Sequence, residues 1–140
     1  MGMYTGDDFN FPELIAGDGE RHSDALLGVF DPIAAAAAAA LTALADGDDT
    51  GFEKILAPTV PLSRHIFKAP TRFYKTGVVF LAYLNGHQDH FTMVGGHESA
   101  RSSLHLAEIL RLANAAQLFD DPDSVAARAR PVFAARGVEV

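Results

Sequence analysis

Only two short stretches of this 140-residue chain read as β-strand, and that scarcity constrains its fold more than any other feature. The first is Met3-Tyr4-Thr5, cut short by Gly6-Asp7-Asp8, and it reads as the tail of a strand. The second is Ala25-Leu26-Leu27-Gly28-Val29-Phe30, a continuous apolar run of buried-strand length in which Gly28 leaves room for close backbone approach. Between them Asn10, Pro12 and Gly17 punctuate a short helix as cap, first-turn proline and terminator. Two short strands joined through a helix predict a parallel pair with a right-handed crossover. A pair alone cannot close a sheet, and its outer edges leave backbone donors and acceptors open. The pattern predicts a piece of a larger sheet, or a chain that needs a partner.

The remainder reads as helix. Asp31 and Pro32 supply a cap and a first-turn proline for a helix running to about Ala45, ended by Asp46-Gly47. Seven consecutive alanines, residues 34–40, give it high helix propensity and little bulk, so a neighbour can pack closely. Phe52, Ile55 and Leu56 open the next apolar face, and Pro58 and Pro61 predict a break before Leu62 and Ile66. Phe73, Gly77, Phe80, Leu81 and Leu84 recur with helical spacing as far as Asn85-Gly86. A loop over residues 87–97 precedes a helix over about residues 98–118. A last helix starts at Asp120-Asp121-Pro122-Asp123, with Val125, Ala129, Val132 and Phe133 on one face and Gly137 beyond its end.

Charge and residue types exclude several functions. Eleven Lys plus Arg against 18 Asp plus Glu give a net charge of −7, and Lys54, Lys68 and Lys75 are the only lysines. No basic stripe can be drawn from them, so a nucleic-acid partner is not expected. Cysteine is absent, which removes disulfides, thiolate nucleophiles and Cys-based zinc sites. The first residues lack the basic and apolar regions of a signal peptide, and the alanine run extended to Leu41 falls short of the about 20 residues a membrane span needs. A cytoplasmic protein is expected, with no membrane partner.

The histidines offer one constellation of their own. His87, Asp89, His90 and His97 share a single loop, and His-x-Asp-His can in principle supply metal ligands. Their spacing matches no standard helical zinc motif, and convergence from a loop containing Gly95-Gly96 is demanding, so no metal and no other cofactor is expected. His65 and His105 fall in helices and His22 in a loop, where surface positions are the ordinary expectation.

From Tyr4-Thr5-Gly6-Asp7-Asp8 onward the sequence resembles the dihydrodipicolinate synthase/N-acetylneuraminate lyase family of class I aldolases. That family carries a Ser-Gly-Asp-Asp motif at the end of its seventh barrel strand. Ala25-Leu26-Leu27-Gly28-Val29 is similar to its eighth strand, and Asp31-Pro32-Ile33-Ala34 stands where its eighth helix begins. Ala45-Asp46-Gly47-Asp48, Pro61-Leu62, Ile66-Phe67 and Tyr74-Lys75 resemble its helical tail. The ordered series over roughly residues 4–85 carries the resemblance, and the Gly-His-Gln-Asp-His-Phe segment (residues 86–91) departs from it.

The resemblance implies an α/β fold: the last two βα units of a partial TIM (β/α)8 barrel over residues 1–47, then a predominantly helical C-terminal subdomain over residues 48–140. It implies a lyase acting on a 2-oxo acid through a lysine Schiff base, whose iminium is the electron sink. The family's lysine lies on the sixth strand, upstream of Met1, so this chain alone is expected to be inactive, with no catalytic residue of its own. What it retains by resemblance is pocket wall: Thr5, Gly6, Asp7 and Asp8 after the first strand, and Leu27 and Gly28 on the second. Partners would be the 2-oxo acid, an N-terminal barrel half or further copies. Two alternatives stand beside this reading, a small metal-binding hydrolase built on residues 87–97 and a non-catalytic helical assembly module.

Overall fold

In the computed structural model, which describes residues 2–139, the two strand-like stretches pair in parallel as expected. Strand β1 (Tyr4–Thr5) aligns Tyr4 with Asp24 and Thr5 with Ala25 of β2 (Asp24–Ala25). Flanking bonds extend the ladder, from the Asp24 amide to the Met3 carbonyl (2.7 Å) and from the Leu26 amide to the Thr5 carbonyl (3.0 Å). Helix α1 (Phe11–Ala16) lies between the strands in sequence and packs on both through its buried Phe11 and Ile15. Gly17 ends it at φ +72°, and a Cβ there would sit 2.1 Å from the Arg21 carbonyl oxygen. Only glycine lets the following loop fold back this tightly.

The barrel expectation is overturned. Among the described residues the strands are two residues each, helix predominates, and no (β/α)8 barrel unit is evident. The predicted strand over residues 25–30 shrinks to Asp24–Ala25, and Gly28–Phe30 is a 3-10 turn closed by the Phe30 amide on the Leu27 carbonyl (3.2 Å). A strand continues only where a neighbour accepts its amides. Past Leu26 no ladder partner takes over, and the Val29 amide donates instead to the carboxylate of Asp8. Leu27 and Val29 are buried while Leu26 is 75% exposed, so the apolar run is only partly a core segment.

Helix α2 (Ala34–Ala45) starts three residues later than Asp31 and ends where expected. Ala37 and Ala40 form its buried face, and α3 (Asp49–Leu56) packs along it, contributing Phe52 and Leu56. The Asp48 carboxylate caps α3 by accepting from the Gly51 amide at 2.8 Å. The two prolines break the chain as predicted. Pro58 sits in a 3-10 turn (Ala57–Thr59), and Pro61 falls in the first turn of α4 (Val60–Phe67), where a missing amide costs no helical bond.

The chain divides into two compact units between Arg64 and His65, inside α4. In the second unit α5 (Tyr74–Leu84) packs against both α6 (Ser103–Ala115) and α7 (Pro122–Ala134). Phe80, Leu81, Leu84, Leu106 and Ile109 are fully buried, with Phe133 close behind. Helix α6 begins later than residue 98 because Val94–Ser99 is a 3-10 segment containing Gly95 and Gly96 at positive φ. Ser102 supplies its cap, and Asp121 caps α7 by accepting from the Asp123 and Ser124 amides. No helix is long and apolar enough to cross a membrane among the described residues.

Gly77 of α5 sets the spacing at the centre of this unit. A Cβ there would meet Ile109 Cδ1 at 2.9 Å and Ile66 Cγ1 at 3.2 Å. The Gly77→Val substitution is therefore expected to cost about 1–3 kcal/mol through overpacking. A fall in the urea midpoint of the variant checks it, and an unchanged midpoint would show that this contact is loose.

Candidate functional site

The six residues expected to line a pocket fall in two segments that the structure ties together. The Leu26 amide on the Thr5 carbonyl is one tie, and the Val29 amide on Asp8 Oδ1 (3.2 Å) is the other. Thr5 is buried, and its hydroxyl oxygen accepts from the Asp7 amide at 3.1 Å. Gly6 is exposed, and a Cβ there would find only the Leu26 carbonyl, at 3.8 Å. Asp7 is occupied locally, its Oδ1 accepting from the Phe9 and Asn10 amides (2.8 and 3.2 Å) ahead of α1. Leu27 is buried, and Gly28, half-buried, begins the 3-10 turn.

Asp8 is the most heavily used of the six. Its backbone carbonyl accepts from the Ser63 hydroxyl, while its carboxylate accepts from Val29. Partial burial pushes its carboxyl above the ordinary value, opposed by the Val29 bond and reinforced by the charge of Asp7. A raised carboxyl favours the protonated form in the fold, so stability associated with it falls as pH rises through its folded-state pKa. Asp8→Asn keeps an acceptor without the charge and is expected to be at least as stable as the parent at pH 7. Asp8→Ala orphans the Val29 amide and should cost about 1 kcal/mol. Paired urea denaturations at pH 7 check both, and equal losses would show that the carboxylate itself is required.

The histidine loop is held by contacts to its own backbone and to aromatic and arginine side chains around it. Among the described residues no three His, Asp or Glu side chains converge as a ligand set. His90 Nδ1 accepts from the Thr92 amide (3.3 Å), and the His97 carbonyl accepts from the Thr76 hydroxyl (2.8 Å). Phe91 packs on Phe80 and Tyr83. Arg128 donates to the Tyr83 and Gln88 carbonyls, and Arg136 to those of Glu98 and Arg101.

The expectation of a surface position is overturned for His105, which is buried, while His65 is half-buried at the surface. They line a surface pocket of about 290 Å³ together with Lys68, Ala100, Arg101, Ser102 and Leu104. His105 is only 5% exposed, and neither ring nitrogen has a hydrogen-bond partner. The half-buried ring of His65 stacks on it with centroids 4.2 Å apart. His65 Nε2 donates to the His105 carbonyl at 3.0 Å, which leaves Nδ1 free to face the Lys68 ammonium at 3.5 Å.

Arg101 frames the pocket from below the chain's bend after α4. Its buried guanidinium donates to the carbonyls of Lys68 (2.7 Å), Pro70 (3.1 Å), Ala69 (3.3 Å) and Ile66 (3.4 Å). The remaining Nε has no partner. Helix spacing carried a signal for one of these residues: His105, Ile109 and Ala113 stand at i, i+4 and i+8 on the buried face of α6. Nothing comparable in the sequence singles out Arg101.

Burial holds His105 down to about 4, and the positive charges of His65, Arg101 and Lys68 act in the same direction. His65 is lowered as well, chiefly by burial. A histidine depressed in the fold contributes stability that is present above its unfolded value of about 6.5 and is lost as pH falls towards 4. Unfolding free energy is expected to decline across that window, and its upper part lies above the range where unfolded carboxylates titrate. Denaturation at pH 7 and pH 5 checks this, with His105→Gln expected to flatten the dependence. A parent protein equally stable at both values would contradict it.

Comparison with known proteins gives a match to a family model described as "Protein of unknown function (DUF993)", over residues 1–138. No curated protein matches the chain.

Proposed function

The chain belongs to DUF993, a family of proteins of unknown function, and from that premise we propose that it is the C-terminal part of a lyase resembling dihydrodipicolinate synthase and N-acetylneuraminate lyase. Such a protein acts on a 2-oxo acid through a lysine Schiff base. Lys54, Lys68 and Lys75 are exposed side chains in or beside helices, so none meets the need for a desolvated nucleophilic amine. In this reading the lysine lies outside the chain, and the chain contributes wall: Thr5, Gly6, Asp7, Asp8, Leu27 and Gly28.

The observation that supports it is the parallel β1/β2 pair with Asp8 held beside Val29 at the strand ends. Ligands of parallel sheets collect at the carboxyl ends of the strands. The pair also leaves the apolar side chains of Met3, Tyr4 and Leu26 exposed. Ionised, Asp8 accepts from a substrate hydroxyl; Gly6 keeps side-chain bulk away from the same place.

Two measurements test the reading. Borohydride reduction with pyruvate is expected to leave Lys54, Lys68 and Lys75 unmodified in the mass spectrum, because none is a desolvated nucleophilic amine. Pyruvate titration followed by amide NMR is expected to move the Asp8 and Val29 resonances. A specific imine adduct on one of the three lysines, or amides that stay still at saturating 2-oxo acid, would overturn it.

A further inference from the structure

The pocket between α4 and α6 collects positive charge and unused donors, and no carboxylate lines it. Lys68 and Arg101 carry full charges, and neither has a carboxylate partner among the described residues. No acidic side chain lines the pocket. Glu108, the acid whose charge reaches His65, is held by Arg111 through two bonds of 2.7 and 2.8 Å. The start of α6, a helix of 13 residues, opens beside the same pocket through Ser102. The Ser102 hydroxyl takes the His105 amide, and the helix dipole adds partial positive charge there.

A helix start alone is weak ground, but His105 is an independent observation. An imidazole 95% buried with both nitrogens unpartnered is an uncommon arrangement, since buried polar groups are nearly always bonded. Its neighbours are the Arg101 guanidinium, which only donates, and the His65 ring, whose one acceptor nitrogen is turned to Lys68 rather than to His105. What such a ring lacks is an acceptor with negative charge.

We propose that this pocket binds a small oxyanion, a sulfate- or phosphate-sized group or a carboxylate, which accepts from His105 and pairs with Lys68. Both the donor set and the volume of about 290 Å³ suit a ligand of a few heavy atoms. Arg101 contributes charge rather than contact, because its terminal nitrogens are already bonded to four carbonyls. Both His105 nitrogens are shielded from solvent, so an anion reaching one must displace a neighbouring group, and the stacked rings of His65 and His105 both report binding. Placing an anion beside His105 also favours its imidazolium form and reverses the depression caused by burial and the neighbouring cations. The site lies wholly within the second unit and does not depend on the lyase reading.

Inorganic sulfate is the probe of choice, because its charge is constant between pH 5 and 7. Titrated into the full chain and followed by the ring protons of His65 and His105, it is expected to bind saturably at one site, more tightly at pH 5 than at pH 7. Lys68→Ala, an exposed position that leaves the fold intact, should weaken binding about tenfold, the loss of one charge-assisted contact. Lys54→Ala, an exposed position in the first unit, should leave it unchanged. A parallel acetate titration tells a tetrahedral anion from a carboxylate by which binds more tightly. Ring signals that drift without saturation in both titrations, or Lys68→Ala binding as the parent does, would overturn the proposal. His105→Phe should abolish the tighter binding at pH 5, and binding that remained pH-dependent in it would also count against the site.

Discussion

One buried guanidinium organises much of the second unit. Arg101 gathers four carbonyls from the end of α4 and the bend that follows. A helix's last carbonyls have no intrahelical donors and need partners from elsewhere. A single five-donor side chain answers all four, which neither a lysine nor a hydroxyl could do. Its backbone carbonyl in turn accepts from Arg136 (3.1 Å), linking this point to the segment after α7. The consequence is a fixed positive charge in a buried place, and His105 is neutral partly because of it.

A comparable substitution of side chain for backbone governs the first unit. Parallel pairing stops at Leu26: among the described residues no strand receives the amides beyond it, and the Asp8 carboxylate takes the Val29 amide instead. That bond brings the residues after β1 against the turn after β2 and leaves Asp8 partly desolvated. Asp7, its neighbour in sequence, spends its carboxylate on the amides ahead of α1. Adjacent acids of identical chemistry thus have different capacities for a ligand: one is a local cap, the other a bridge between segments.

The two units therefore offer chemically distinct surfaces. At the strand ends a carboxylate and a bare glycine backbone suit a ligand that donates hydrogen bonds. Around His105 the lining is cationic and donor-rich, and suits a ligand that accepts them. The chain as a whole carries net charge −7, so a locally positive pocket stands out from its surroundings rather than extending a basic face.

Local signals in the sequence determined the helices and several of their limits, though α2 and α6 start later than those signals place them. Asp48, Asp121 and the glycine at 47 mark ends through bonds made within a few residues, and Pro58 and Pro61 break the chain by what a proline cannot donate. The parallel pairing of Tyr4–Thr5 with the second apolar stretch was legible too, because a short connecting helix permits little else. Strand length was not. Whether residues 26–30 continue as strand depends on a neighbour to accept their amides, and an apolar run carries no record of whether one exists. The barrel expectation failed at that point. The pocket was equally hidden: His65 and His105 lie 40 positions apart, and Arg101 meets carbonyls 31–35 residues away. A histidine's burial and an arginine's acceptors are set by which helices pack together. Helix spacing could place His105 on the buried face of α6, but only tertiary packing decided that it would be stacked on another imidazole, surrounded by cations and left without an acceptor.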